Sequence, residues 1–256
     1  MTSLTGYNVL REKETQPGSL MFRIGGYDLG ALDKKIIRER YDAAVNEGRL
    51  IKEDFRNNIE GLLSSAGDNI HHIAGADSTT SETHSITNIK SRSTLLETLR
   101  FLRELPGCEK TRLISMQPET GIRETYRIDG IYNITHEDYI NGKVFDDAVS
   151  YSFYPIDVHD KNGVKPKHLA KGKVPTVPIR ALIPKNSQNL LVAGRCVSSD
   201  RLANSALRVQ ASCMAMGQAV GVAAALASKT GKTPEEVPIN DIRKLLEDHG
   251  AIVPSK

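Results

Sequence analysis

Apolar positions recur with two periods along this chain. In residues 124–134, Tyr126, Ile128, Gly130, Tyr132 and Ile134 alternate with Arg127, Asp129, Ile131 and Asn133, a period of two that predicts a strand covered on one face. In residues 32–47, Ile36, Ile37, Tyr41, Ala44 and Val45 gather on one side of a helix, with Gly48 just past its end. Residues 81–105 read as a second helix, with Leu95, Leu96, Leu99, Phe101, Leu102 and Leu105 as its apolar face and Pro106-Gly107 as its stop. Further strands are predicted at 19–27, near 70–74, at 112–117, over 149–158 and at 189–193. Thr135 followed by Asp138 has the form of a helix cap and opens a short helix ending near Gly142. Asp160-Lys161-Asn162-Gly163 reads as a turn, and residues 165–178 as a surface loop with an extended exit. A long helix is expected over 207–228 and a short one over 239–248, while residues 1–18 read as a poorly fixed lead-in. The expected class is mixed α/β: a mainly antiparallel sheet across 19–180, decorated by helices at 32–47 and 82–105, then a strand–turn–helix.

Composition narrows the function. With 39% apolar and 25% charged residues the chain reads as an ordinary globular protein. Aromatic residues make up 5%, there is no Trp, and the net charge of +3 is spread along the chain, which argues against a stacking platform or basic stripe for nucleic acid. Three cysteines, Cys108, Cys196 and Cys213, are spaced for neither a zinc site nor a disulfide framework. His71 and His72 are adjacent, and neighbours on a strand point apart, so they make a poor chelate and no metal site is expected. The polar start lacks an apolar signal core, so a cytoplasmic location is expected, any leader of a longer protein lying outside this chain.

The most informative stretch is 188–228. An apolar run, Asn189-Leu-Leu-Val-Ala193, enters Gly194, a polar turn follows, and then comes a helix without a charged residue from Val209 to Ser228. Small residues dominate it, and Gly217 and Gly221 need a packing reason, since each costs roughly 1 kcal/mol against alanine in a helix. A membrane span is opposed by Gln210, Ser212 and Gln218. A core helix without a ligand is one remaining reading. A helix whose start faces an anionic or electron-rich group, with Arg195 and Arg208 adding fixed charge, is the other.

The sequence IPKNSQNLLVAGRCVSS followed by ALRVQASCMAMGQAVGVAAAL resembles the closing segment of the FAD-dependent oxidoreductase family related to glutathione-reductase-type flavoproteins. QPGSLMFRIGGYD, GADSTT, GIRETYRIDGIYNITHEDYINGKVFDD and YPIDVHD resemble further blocks of that family in the same order. The resemblance implies a substrate-side domain over 19–180 and, over 181–256, the C-terminal strand–turn–helix of an incomplete FAD/NAD(P)-binding domain. Carried over by position, it puts Gly194 and Arg195 along the ribityl–phosphate part of FAD, and Ser205, Arg208 and Val209 near the flavin ring. The family's Gly-x-Gly-x-x-Gly start is not found here. The expectation is therefore a fragment that binds FAD weakly or not at all alone, with a missing N-terminal domain or self-association as partners, and with neither membrane nor nucleic acid among them.

For the chemistry, Asp157 and His159 are the leading pair: two apart on an extended segment they share a face, and a carboxylate there orients an imidazole. Against it stands a turn-forming Asp beside a surface His. Arg123 is a candidate clamp for a substrate carboxylate or hydroxyl, against an ion pair with Glu124 or Glu119. The function expected is hydride transfer between FAD and a small, hydroxylated or sugar-like substrate. The alternative is a non-catalytic remnant or interaction module that keeps the fold without flavin.

Overall fold

The computed structural model describes residues 2–55, 59–68, 71–160, 163–164 and 166–254. Its strands are β1 (Val9–Leu10), β2 (Gly18–Ser19), β3 (Phe22–Gly25), β4 (Gly67–Asp68), β5 (His72–Ile73), β6 (Arg112–Met116), β7 (Arg127–Ile128), β8 (Ala148–Tyr151), β9 (His159–Asp160), β10 (Gly163–Val164) and β11 (Thr176–Pro178). Its α-helices are α1 (Lys34–Asn46), α2 (Ile59–Ser64), α3 (Ser81–Arg103), α4 (His136–Ile140), α5 (Arg201–Leu207), α6 (Gln210–Thr230) and α7 (Ile239–Asp248). The class is mixed α/β, and among the described residues the strand ladders are antiparallel, in small sheets of two or three strands, with an isolated parallel bridge between Ile134 and Ser199. The chain divides into two compact units: the first comprises Met1–Lys13, Glu124–Val158 and Lys165–Lys256, the second Glu14–Arg123 and His159–Val164.

In the second unit, β3 lies between β4 and β6, with Arg23 opposite both Gly67 and Ser115. Leu20, Phe22 and Ile24 are buried while Arg23 is exposed, the alternation a half-covered strand requires. Asp33 caps α1 by accepting from the Lys35 and Ile36 amides, and Tyr41 on its buried side meets Phe55 and Phe101 edge-on. Thr80 and Thr83 form a reciprocal cap on α3, whose Leu95, Leu99 and Leu102 complete this core. β2 pairs with β5, setting Ser19 opposite His72. Of the strand expected near 70–74, residue 70 is outside the described residues, as are 161 and 162 of the expected turn.

In the first unit, β8 pairs with β11 and α6 lays Ser212, Met216, Ala219, Ala223 and Ala227 into a core shared with Val149, Val177, Leu182, Leu207 and Leu246. The Thr135–Asp138 cap is present and opens α4 as the sequence predicts. Residues 124–134 form a ladder only at β7, because three separate segments take their turn beside them: β1 at Ile128, Pro184 at Gly130 and Ser199 at Ile134. No neighbour continues long enough for a strand. Residues 189–193 likewise form no ladder among the described residues, the Val192 amide donating singly to the Leu182 carbonyl at 2.8 Å. The expected 207–228 helix is α6, which starts at Gln210, and a further helix, α5, precedes it. Asp200 caps α5 by accepting from the Ala203 amide, and the chain breaks at Arg208–Val209, where Val209 is extended (φ −70°, ψ 154°). Within the expected lead-in, residues 9–12 are held rather than loose: β1 pairs with β7, Arg11 reaches the Tyr126 hydroxyl at 3.2 Å, and Arg127 donates to Glu12 at 2.6 Å.

Candidate functional site

Gly194 opens a one-turn 3₁₀ segment, Gly194–Cys196, with φ +85°, a conformation that strains any residue with a Cβ. A Cβ at this position would stand 3.8 Å from Cys213 Sγ, in the first turn of α6. The glycine turn and the helix start therefore meet, as the sequence expects. That start has no side-chain cap, and Gln210 and Ala211 are exposed, so the first amides of a 21-residue helix face outward with the positive end of its dipole. Arg195 is exposed beside it.

At the break between α5 and α6, Arg208 donates to the Asp157 carbonyl at 3.1 Å and lies 3.7 Å from its carboxylate. Burial pulls the Arg208 guanidinium below its ordinary value, and the neighbouring Asp157 works against that shift. Ser205 is fully buried, donating to the Leu202 carbonyl at 2.7 Å and accepting the Asp157 amide at 3.0 Å. Asp157 is thus fixed to the α5–α6 corner at both its backbone and its side chain. Burial raises the thiols of Cys196 and Cys213, which keeps both protonated and poorly nucleophilic. A separate groove of about 520 Å³ runs along α6, lined by Tyr151, Phe153, Ala211, Ala215 and Gln218. At 100° per residue this face is opposite Cys213, so the groove is distinct from the Gly194 turn.

In the second unit, buried polar side chains converge from four stretches of chain. The His159 amide donates to Gln16 Oε1 at 3.0 Å, and His159 Nδ1 lies 3.2 Å from His72 Nε2, the rings edge-on with centroids 5.0 Å apart. Arg123 donates to the Pro17 carbonyl and, at 2.9 Å, to the Ser19 hydroxyl. Gln16, Ser19, His72, Arg123 and His159 are all under a tenth exposed. The pairing of Ser19 with His72 puts their side chains on one face of the ladder, which ties Arg123 to the histidines. Of the two carboxylates weighed as partners for Arg123, Glu124 lies 3.5 Å from Arg201 and Glu119 lies 3.7 Å from His84. Asp157 and His159 fall in different units, the first holding Arg208, the second His72. Sequence reasoning missed Gln16, Ser19 and His72, and the helix containing Ser205. Only the His71-His72 doublet carried a signal.

With this geometry in place, the family comparison is specific: a model described as FAD dependent oxidoreductase matches residues 6–246. The chain belongs to this family of flavin oxidoreductases, whose cofactor is FAD. Comparisons with curated proteins and with solved structures give no match.

Proposed function

We propose that this chain supplies the ring-side and substrate-facing parts of an FAD-dependent oxidoreductase acting on a small, hydroxylated or sugar-like molecule. The observation that carries the reading is the meeting of the Gly194 turn with the open start of α6. These residues fit the cofactor: a glycine that tolerates close backbone approach, outward amides at the positive helix end, and an arginine on each side. Gly194 and Arg195 would lie along the ribityl chain, Arg208 and Val209 by the pyrimidine edge, with Ser205 bracing the corner from beneath. FAD supplies the hydride acceptor. The chain's own part is to orient and to handle the proton: Asp157 holds Arg208 in place, Arg123 organises the buried serine, and His159 is the imidazole of the second unit.

Flavin binding tests this directly. Saturable quenching of FAD fluorescence by the chain is expected, weaker by about tenfold or more in Gly194→Val, whose side chain fills the approach to the helix start. Equal quenching by the variant and the original chain would remove the reading.

A further inference from the structure

The groove of about 520 Å³ along α6 is bounded by residues of the first unit alone. A volume of that order holds a small organic molecule. Its described lining carries no charged side chain and includes Phe153 and Ile252, large apolar groups that are 72% and 84% exposed. An ion entering it would shed water with no counter-charge to replace it, so the groove favours an uncharged, mostly apolar occupant.

Two hydroxyls give this apolar surface a polar point. Strand residues two apart share a side, so Ser150 of β8 faces the same way as Ser152. Ser152 meets Ser212 of α6 at 2.9 Å, so that side is turned toward α6. Ser150 lines the groove, is 2% exposed, and its Oγ has no hydrogen-bond partner among the described residues. A buried hydroxyl without a partner is disfavoured, and a ligand atom that bonds to it removes the cost.

The direction of the bonding at Ser212 follows from a chain of hydroxyls. Tyr139 donates to the Tyr154 carbonyl at 2.8 Å, which uses its one proton. Its oxygen, 2.8 Å from Ser152, therefore accepts, and Ser152 is the donor there. Ser152 has then only acceptor capacity left for Ser212, so Ser212 donates to it. What Ser212 keeps for the groove it lines is a lone pair. Burial raises Tyr139 to about 12, so the proton that sets this direction is in place at neutral pH.

We propose that this groove binds an uncharged, mainly apolar small molecule through a hydroxyl group, which donates to Ser212 and accepts from Ser150. A hydroxyl has one proton to give and lone pairs to receive one, which suits both serines. An ether or ketone satisfies Ser150 alone. A carboxylate has no proton for Ser212 and adds a charge that nothing in the lining offsets. The site is on the face of α6 opposite Cys213, and it does not rest on the flavin reading.

Calorimetric titration of the whole chain with 4-propylphenol tests this, with one saturable site expected. 4-Propylanisole, which accepts but cannot donate, and 4-propylbenzoate, which is charged, should each bind about tenfold more weakly or less. Ser150→Ala removes a hydroxyl that has no partner, so its Tm should be unchanged or higher while its affinity for 4-propylphenol falls about fivefold. Ala215→Phe, which fills the groove, should abolish binding. Absence of saturable binding, equal affinity for the anisole, or a Ser150→Ala chain that binds like the original overturns the proposal. So does a dimer that Ala215→Phe dissociates, since a second copy would then be what covers the groove. If Ala215→Phe fails to fold, Ser150→Ala and the three probes decide. None of these readings changes with the outcome of flavin quenching in Gly194→Val.

Discussion

Two neighbouring residues of the second unit are buried at opposite cost. Asp54 is 1% exposed, and neither carboxylate oxygen has a hydrogen bond; Thr94, the nearby hydroxyl, donates instead to the Lys90 carbonyl at 3.1 Å. Burial raises Asp54 from 3.8 to about 6, with Lys90 opposing. His71 has two unpartnered ring nitrogens and is lowered from 6.5 to about 4 by burial. For Asp54 the folded value lies above the unfolded one, so stability is full below pH 4 and is lost as pH rises through 6. For His71 the folded value lies below, so stability is full above pH 6.5 and is lost as pH falls through 4. Between these limits the two trends oppose each other. Asp54→Asn should therefore match the original chain at pH 4 and exceed it by ~2 kcal/mol at pH 7, read from urea midpoints. A pH-independent difference would refute the assignment. The doublet His71-His72 shows how far a residue-level reading reaches. The argument that adjacent strand residues point apart is correct, and it disposes of a chelate. It says nothing about the two surroundings, one between phenylalanines and one beside a second histidine 87 positions away, because those are made by tertiary pairing.

At the scale of elements, legibility follows how local each signal is. The cap at Thr135 and the helices α1, α3 and α4 were readable because cap, period and stop are neighbours in sequence, and Asp33 and Thr80 cap two of them in the same local way. Strands were legible where the pattern met a partner, as at β3 and β6 within the expected 19–27 and 112–117, and not where no one partner continues: residues 124–134 have the right alternation but three successive neighbours. Helix α5 and its break before α6 were hidden because Arg208 and Val209 are acceptable in a helix; at the break Arg208 bonds to the Asp157 carbonyl, 51 positions away. The small-residue character of α6 has a measurable consequence. Gly217 and Gly221 are exposed, and a Cβ at either would meet nothing within 4 Å. Among the described residues no close contact requires them. Gly217→Ala and Gly221→Ala should each stabilise the chain by about 0.8–1 kcal/mol, or about 2–4 °C in Tm by calorimetry. Loss of stability instead would mean that something packs on that face.

For the molecule as a whole, the family was legible because it rests on contiguous blocks, whereas the partition into units was not, because each unit is assembled from separated segments. The first unit depends on a segment that sequence alone marks as a loose lead-in. Val9–Leu10 adds an edge to β7, and Glu12 meets Arg127, whose side chain is 4% exposed and whose Nε and Nη1 have no hydrogen bond. Glu12 is therefore the partner that keeps a buried guanidinium tolerable. Removing one member of a fully buried pair costs about 3–5 kcal/mol, and because the Glu12 side chain is 36% exposed, about 2 kcal/mol is the expected loss for Glu12→Gln. Deleting residues 1–13 should cost more, since the β1–β7 pairing is lost as well. Hydrogen exchange locates the effect. Protection should fall across residues 124–158 and 166–254, the parts of the chain that share a unit with the deleted segment, and should hold in α1 and α3, which do not. Uniform loss of protection would mean that the two units unfold as one, and unchanged protection that the pair at Arg127 contributes nothing.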